Sequence, residues 1–374
     1  MQKRVWITGY DAICNLGNDI DGIFKNAINS KNSFLTPDDS IIKGETFYFG
    51  KINCELPQIS AGNYNLRCNR LLLHLADRIN SKIAEVLNKY PPHKIGVVAA
   101  TTNSGIKEYE KSRNKKHFEI GNPAEFLRQH LGLNGFYESV STACSSGIKA
   151  FSTAGKLINN GICDAVIVAG TDSLAQLPIF GFHSLEVLSH QKSNPFSKNR
   201  NGINIGEAAA IFIVEKEKGE IAIKGIGETS DAYHAATPDP KGFEAARAIK
   251  TALKEANLAP DAIDYINLHG TGTKSNDLME ANAVYNIFGS CVEASSTKPL
   301  TGHCLGAAAA LETALCCHAI RNNKILPHVY DGEYDFSLPK INLVTQPADK
   351  KINNVLCTAF GFGGTNAAII LGRD

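Results

Sequence analysis

The sequence predicts an α/β protein with buried sheets, built from two similar halves. Three observations carry this. Short Val- and Ile-rich runs alternate with helical stretches. The runs form two series of matching order, and the turns and helices between them recur in step. Strands are expected at 4–8, 94–100, 139–142, 165–169 and 208–214, then at 221–226, 265–268, 294–297, 355–359 and 367–371.

The opening run Arg4-Val-Trp-Ile-Thr-Gly-Tyr has its counterpart in Ile221-Ala-Ile-Lys-Gly-Ile-Gly. A strand, a small-residue turn and an apolar helix follow at 139–157 and again at 294–320. Each half then closes on a strand pair, 165–170 with 209–214 and 355–360 with 367–371. The duplication places a seam near 218–221, giving halves 1–218 and 219–374. The stretches 31–65 and 106–121 are polar and aperiodic, so they read as surface excursions.

Bulk properties narrow the class. The chain has 374 residues, 43% hydrophobic and 20% charged, an ordinary globular composition. A net charge of +1 gives no electrostatic basis for broad nucleic-acid or membrane-surface binding. The apolar run 304–311 is too short to span a bilayer. Its ten cysteines are scattered without a CxxC pair, and Met1 to Ile7 reads as strand rather than signal peptide. Reduced cysteines in a cytoplasmic protein are expected.

One cysteine stands apart. Ser139-Val-Ser-Thr-Ala-Cys-Ser-Ser-Gly ends a strand and opens a helix, which Asn159-Asn-Gly stops. Cys144 at a helix N-terminus would have its thiolate stabilised by free amides and the dipole, ready to attack a thioester. Gly147 disfavours helix, which points to a packing or access requirement. The ordinary reading is a buried structural cysteine, and the histidines weigh against it. His269 ends an apolar strand before Gly-Thr-Gly-Thr, a strand end where α/β folds place chemistry. His303 opens the second apolar helix, just after Lys298. Their separation from Cys144 has no zinc-ligand spacing, so no metal is expected. Phe360-Gly-Phe-Gly-Gly-Thr-Asn lacks any phosphate-loop spacing. It reads as a mobile, tight backbone loop that lines an apolar pocket and supplies an N–H.

These motifs together resemble the β-ketoacyl synthase family, in its Cys-His-His elongating branch. The resemblance rests on Thr142-Ala-Cys-Ser-Ser-Gly, His269-Gly-Thr-Gly-Thr with Asp277 and Glu280, and Thr297-Lys-Pro-Leu-Thr-Gly-His. It continues in Phe360-Gly-Phe-Gly-Gly-Thr-Asn, Asn194-Pro-Phe-Ser-Lys-Asn-Arg-Asn-Gly, Gly206-Glu207 and Asp231-Ala-Tyr-His-Ala-Ala-Thr-Pro. It implies a thiolase-like fold, two duplicated halves in a five-layered α-β-α-β-α arrangement. The implied activity is decarboxylative condensation of an acyl thioester with a malonyl unit on acyl carrier protein, in fatty-acid, polyene or polyketide-type biosynthesis.

The resemblance also implies roles. Cys144 is the nucleophile, and His269 and His303 polarise the malonyl thioester. Lys298 is paired with Glu312 beside them. Backbone N–H groups of Cys144 and Phe362 form an oxyanion hole, and Phe362, next to Phe360, gates the acyl pocket. Asp277, Glu280 and Glu207 hold loops. No cofactor is implied beyond the carrier's phosphopantetheine. Acyl carrier protein is the implied partner, with a homodimer or a heterodimer with a related synthase. Arg67, Arg70, Lys198 and Arg200 are docking candidates for that acidic carrier. Thr101-Thr-Asn-Ser-Gly replaces the usual glycine-rich run by the acyl pocket, and Ser197 and Asn201 stand where carboxylates are common. Those departures suggest a specialised synthase. The rivals are a non-catalytic chain-length factor, disfavoured by Cys144; a thiolase, which needs a late second cysteine; and a Cys-His-Asn starter synthase, disfavoured by His303.

Overall fold

A computed structural model describes residues 4–30 and 33–374. Residues 1–3, expected to lead into the first strand, and residues 31–32, at the start of the first polar stretch, lie outside the described residues. Every expected strand forms. In the first half these are β1 (Val5–Cys14), β2 (Ile95–Ala100), β3 (Tyr137–Val140), β4 (Ala165–Asp172) and β5 (Ala208–Glu215). The second half supplies β6 (Ile221–Ser230), β7 (Tyr265–Asn267), β8 (Glu293–Ser295), β9 (Asn354–Gly361) and β10 (Thr365–Gly372).

The duplication is written in the topology. The sheet order is β3-β2-β4-β5-β1-β6-β10-β9-β7-β8, extended by the short strand Asn342–Leu343. From the centre outward, each half runs through its first, fifth, fourth, second and third strands. Strand senses repeat too: antiparallel among the inner three of each half, parallel among the outer three. The halves meet where Val5–Ile7 pairs antiparallel with Ile221–Ile223.

Successive residues of each strand face opposite sides, and both faces are covered, which builds the layers. Val97, Ala99, Ile167 and Ile211 face outward against Leu71, Leu72 and Leu75 of α1 (Arg67–Arg78) and Leu127 of α2 (Asn122–His130). Their neighbours Val98, Val168 and Phe212 face inward, onto α3 (Ser146–Asn159). In the second half, Leu356, Ala368 and Ile370 pack outward on α4 (Phe243–Ala256) and α5 (Lys274–Phe288). Between the sheet's two halves, beside α3, lies α6 (Ala308–Asn322), buried on every side from Ala308 to Ile320. That explains its lack of a polar face. The result is α-β-α-β-α.

Gly147 has a packing reason. A Cβ there would lie 2.4 Å from the Ala310 nitrogen, so α3 and α6 touch backbone to backbone. Gly147→Val is expected to cost about 3 kcal/mol by overpacking, read as a lower midpoint in urea unfolding.

The polar stretches are more structured than expected. Thr36–Asp38 and Phe47–Gly50 form a small sheet with Ile205–Gly206. Phe47 and Phe49 are buried there with Ile203 and Ile205, an aromatic anchor that polar neighbours mask in the sequence. Residues 106–112 form a helix.

Candidate active site

The chain leaves β3 at Val140 and turns through Ala143, a non-glycine residue with φ of +52°. Hydroxyls stitch this turn: Ser146 Oγ donates to the Ala143 carbonyl and Ser145 Oγ to the Thr142 carbonyl, at 2.6 and 2.7 Å. Such strain persists only when its surroundings fix it. The turn delivers Cys144 just ahead of α3, 3% exposed.

The thiol departs from expectation. Burial pushes its pKa up to about 11, against the lowering pull of the Lys298 charge and the Phe362 N–H. The resting group is a thiol, and the helix start does not overcome desolvation. Alkylation by iodoacetamide should therefore rise about tenfold per pH unit from pH 7 to 10 without a plateau, measured by mass at Cys144. A plateau near pH 8 would contradict this.

His303 emerges from the short helix Lys298–Thr301 through Gly302, whose φ is +72°. Its N–H donates to the Asn204 carbonyl at 2.7 Å. The Leu305 N–H donates to His303 Nδ1 at 3.1 Å, so the neutral ring carries its hydrogen on Nε2. That atom lies 3.0 Å from Cys144 Sγ. His269 follows β7, its N–H shared between Glu280 Oε1 at 2.7 Å and Thr358 Oγ1 at 3.1 Å. The two rings meet edge to face, centroids 5.3 Å apart.

Burial and then the Lys298 charge hold both histidine pKa values well below 6.5, with mutual repulsion added at His269. Both rings are neutral at physiological pH. They suit hydrogen-bond donation to a developing oxyanion and not acid catalysis. Lys298 Nζ sits 2.5 Å from Glu312 Oε1, both side chains 2% exposed. Burial raises the Glu312 pKa.

Ligand atoms of Cys144, His269 and His303 fall within 4.8 Å of one another, a grouping with the composition of a metal site. The ammonium that depresses both histidines opposes a dication there.

A cavity of about 340 Å³ opens at Cys144, lined by Thr102, Asn103, Ile106, Leu177, Phe182, Leu305 and Phe362 among others. Phe362 packs edge-on against Phe182, centroids 5.4 Å apart. The segment expected as a loop is a hairpin turn: β9 and β10 pair as far as Gly361 and Thr365. Phe360 is strand, 6.0 Å from the His269 ring. A second, narrower opening reaches His269 past Thr271, Thr273 and Phe360.

The loop-holding carboxylates sit at their loops. Glu280 caps the His269 and Gly270 N–H groups at 2.7 Å each, and burial pushes its pKa up to about 7. Asp277 receives the Phe196 N–H at 2.8 Å, and burial pushes its pKa up to about 6. At Glu207 burial raises the pKa, but the Arg67 hydrogen bonds and charge prevail and the net shift is down.

Three docking candidates are engaged within the fold, Arg200 buried and Arg67 and Arg70 half-buried. Arg67 gives Glu207 two bonds of 2.7 Å and the Ile52 carbonyl another. Arg200 is 6% exposed and paired with Asp335 at 2.6 Å. Arg70 spends its guanidinium on the Leu56 and Pro57 carbonyls. Each of these guanidiniums already spends donors on partners within the fold, which weakens it as a carrier contact. Lys198 alone is on the surface, paired with Glu333 at 2.6 Å. Sequence reasoning missed Asn204 and Thr358, which anchor the two histidines. Both lie beside quoted motifs, but short polar residues carry no distinctive spacing.

Comparison with known proteins agrees with the geometry. Residues 81–219 match the family model "Beta-ketoacyl synthase, N-terminal domain", and residues 221–330 match "Beta-ketoacyl synthase, C-terminal domain". The 3-oxoacyl-[acyl-carrier-protein] synthase 2 of Coxiella burnetii is 37% identical over 259 residues, 64% of this chain and 63% of the relative. Its namesake in Synechocystis sp. is 30% identical over 410 residues, covering 98% and 97%. Among solved structures, a chain of the ketosynthase ApeO in complex with its chain length factor ApeC, from Xenorhabdus doucetiae, superposes with TM-score 0.93. It is 36% identical, covering 100% of this chain and 98% of that one. A relative along nearly its whole length and matches on both sides of the seam near 218–221 make one statement plain: the chain belongs to the beta-ketoacyl synthase family.

Proposed function

We infer that the protein is a 3-oxoacyl-[acyl-carrier-protein] synthase, an acyltransferase that condenses a Cys144-bound acyl group with a malonyl thioester. The carrying observation is Cys144 Sγ 3.0 Å from His303 Nε2, beside the His269 ring, at the mouth of an apolar cavity.

In the first half-reaction the Cys144 sulfur attacks the acyl thioester. Its proton leaves with the departing carrier thiol. The acyl chain occupies the cavity toward Ile106 and Phe182, where water is scarce. The malonyl thioester then presents its carbonyl oxygen to His269 and His303. Their N–H groups stabilise the enolate that forms as carbon dioxide leaves, so no strong base is needed. The enolate carbon attacks the acyl-cysteine carbonyl, and the oxyanion rests on the Cys144 and Phe362 N–H groups. The C–S bond breaks, the sulfur regains a proton, and a 3-oxoacyl thioester departs.

The carrier's phosphopantetheine is the arm that brings both substrates, and acyl carrier protein is the partner this reading requires. The first half's edge strand β3, which opens on exposed Tyr137 next to exposed Phe136, supports pairing with a second copy or a related synthase. Among the described residues no helix is long and apolar enough to cross a membrane.

Intact mass after mixing with acyl-carrier-protein thioesters tests the reading. The wild type should gain one acyl group and Cys144→Ala none. A folded wild type that takes no acyl group from any thioester would point to a non-catalytic chain-length-factor role.

A further inference from the structure

β4 is an unbroken apolar strand that ends on a carboxylate. Asp172 is 0% exposed, and its partners are hydroxyls and backbone N–H groups rather than a cation. Thr101 Oγ1 and Thr102 Oγ1 donate to it at 2.7 and 2.6 Å. The N–H groups of Thr102 and Asn103 donate at 3.0 Å each. A further N–H arrives from far along the chain, that of Gly306 at 2.7 Å. A carboxylate withdrawn from water this completely is tolerated only because its lone pairs are filled.

The two turns it joins both border the active site. Thr102 and Asn103 line the cavity at Cys144, and so does Leu305. Leu305 is also the residue whose N–H fixes His303 Nδ1 as an acceptor. Both turns hold a non-glycine residue in the left-handed region, Ser104 at φ +44° and Leu305 at φ +53°. They touch directly: a Cβ on Gly306 would lie 2.8 Å from Asp172 Oδ2 and 2.9 Å from the Thr102 nitrogen. Each turn has a local tie, Ser104 N–H to Thr101 Oγ1 at 2.9 Å and Leu305 N–H to His303 Nδ1 at 3.1 Å; the carboxylate between them joins the two strained turns to each other.

We propose that Asp172 is a positioning residue that locks the acyl-cavity wall to the turn fixing the His303 tautomer. One side chain then governs both how the cavity is shaped and whether Nε2 of His303 presents a hydrogen to the malonyl carbonyl. This rests on the synthase reading for its catalytic consequence. The structural consequence, the tautomer, stands without it.

Asp172→Asn tests it. The amide keeps the volume but turns an NH2 toward N–H donors, which unpairs part of the clamp. Malonyl-thioester decarboxylation should fall at least about tenfold, while acylation of Cys144 by a short acyl thioester stays within about threefold. In ¹⁵N-histidine spectra of the full protein, assigned with His303→Gln, the Nδ1 signal of His303 should move toward a tautomer mixture. A folded Asp172→Asn with wild-type decarboxylation and an unchanged Nδ1 signal would overturn the proposal. So would equal losses in both half-reactions without a tautomer change, the mark of general loosening. Should that variant not fold, Thr102→Val removes one hydroxyl bond at constant size and must shift the same signal in the same direction. If the wild type itself neither loads nor decarboxylates, the synthase reading fails, and the spectra still decide the clamp.

Discussion

His303→Ala is expected to lower decarboxylation of a malonyl thioester by about 10² to 10³-fold, the usual loss when one preorganised oxyanion donor is removed. His269→Ala should act alike, because the two rings converge on one position. Loading of Cys144 should survive both changes far better, since the acyl carbonyl is served by backbone N–H groups. Carbon dioxide release and intact mass, followed on the same samples, separate the steps. Equal losses in loading and decarboxylation would sink the division of labour. The pH dependence carries a matching sign. Burial and Lys298 lower both histidine pKa values, so protonation, which adds charge and turns the His303 Nδ1 acceptor into a donor facing the Leu305 N–H, sets in only well below pH 6.5. Wild-type decarboxylation should therefore show no acid limb between pH 6.5 and 8.

Much of this was legible in the sequence because the chemistry sits in contiguous words. Thr142-Ala-Cys-Ser-Ser-Gly is a strand, a turn and a helix start in one run. His269 and His303 likewise close or open elements whose apolar periodicity is plain. The strands were legible because both faces of each inner strand are buried, which writes continuous Val and Ile runs such as 165–169. What failed were readings of charge and exposure that depend on partners distant in sequence and lie outside those motifs. Arg67 and Arg200 looked like surface charges until Glu207 and Asp335 came to them across the fold. The Cys144 thiol was misjudged because a helix start is visible in sequence and complete desolvation is not. Asp172, an acidic residue ending a buried strand, is a further signal that the sequence carries. In the sequence its partners Thr101 and Thr102 stand out only as a departure from the usual glycine-rich run.

Lys298→Met is expected to destabilise the protein by about 3 to 5 kcal/mol, because it strands the Glu312 carboxylate without a counter-charge in a site closed to water. Urea unfolding should show it directly. Adding Glu312→Leu should bring stability back to within about 1 kcal/mol of wild type or above it, since apolar pairs of similar volume often match or exceed a buried ion pair. Stability does not account for the pair's presence; its field does. The Lys298 charge lowers the Cys144 thiol pKa more than the opposing Glu312 raises it, and it also depresses both histidines. The double variant should therefore fold normally, yet alkylate more slowly at pH 8, load acyl groups more slowly and gain an acid limb in decarboxylation. A double variant with wild-type alkylation and an unchanged pH profile would show that the pair serves packing alone. The expected outcome separates the two roles: a fold restored by apolar replacement, and a nucleophile that still lacks the charge opposing its desolvation.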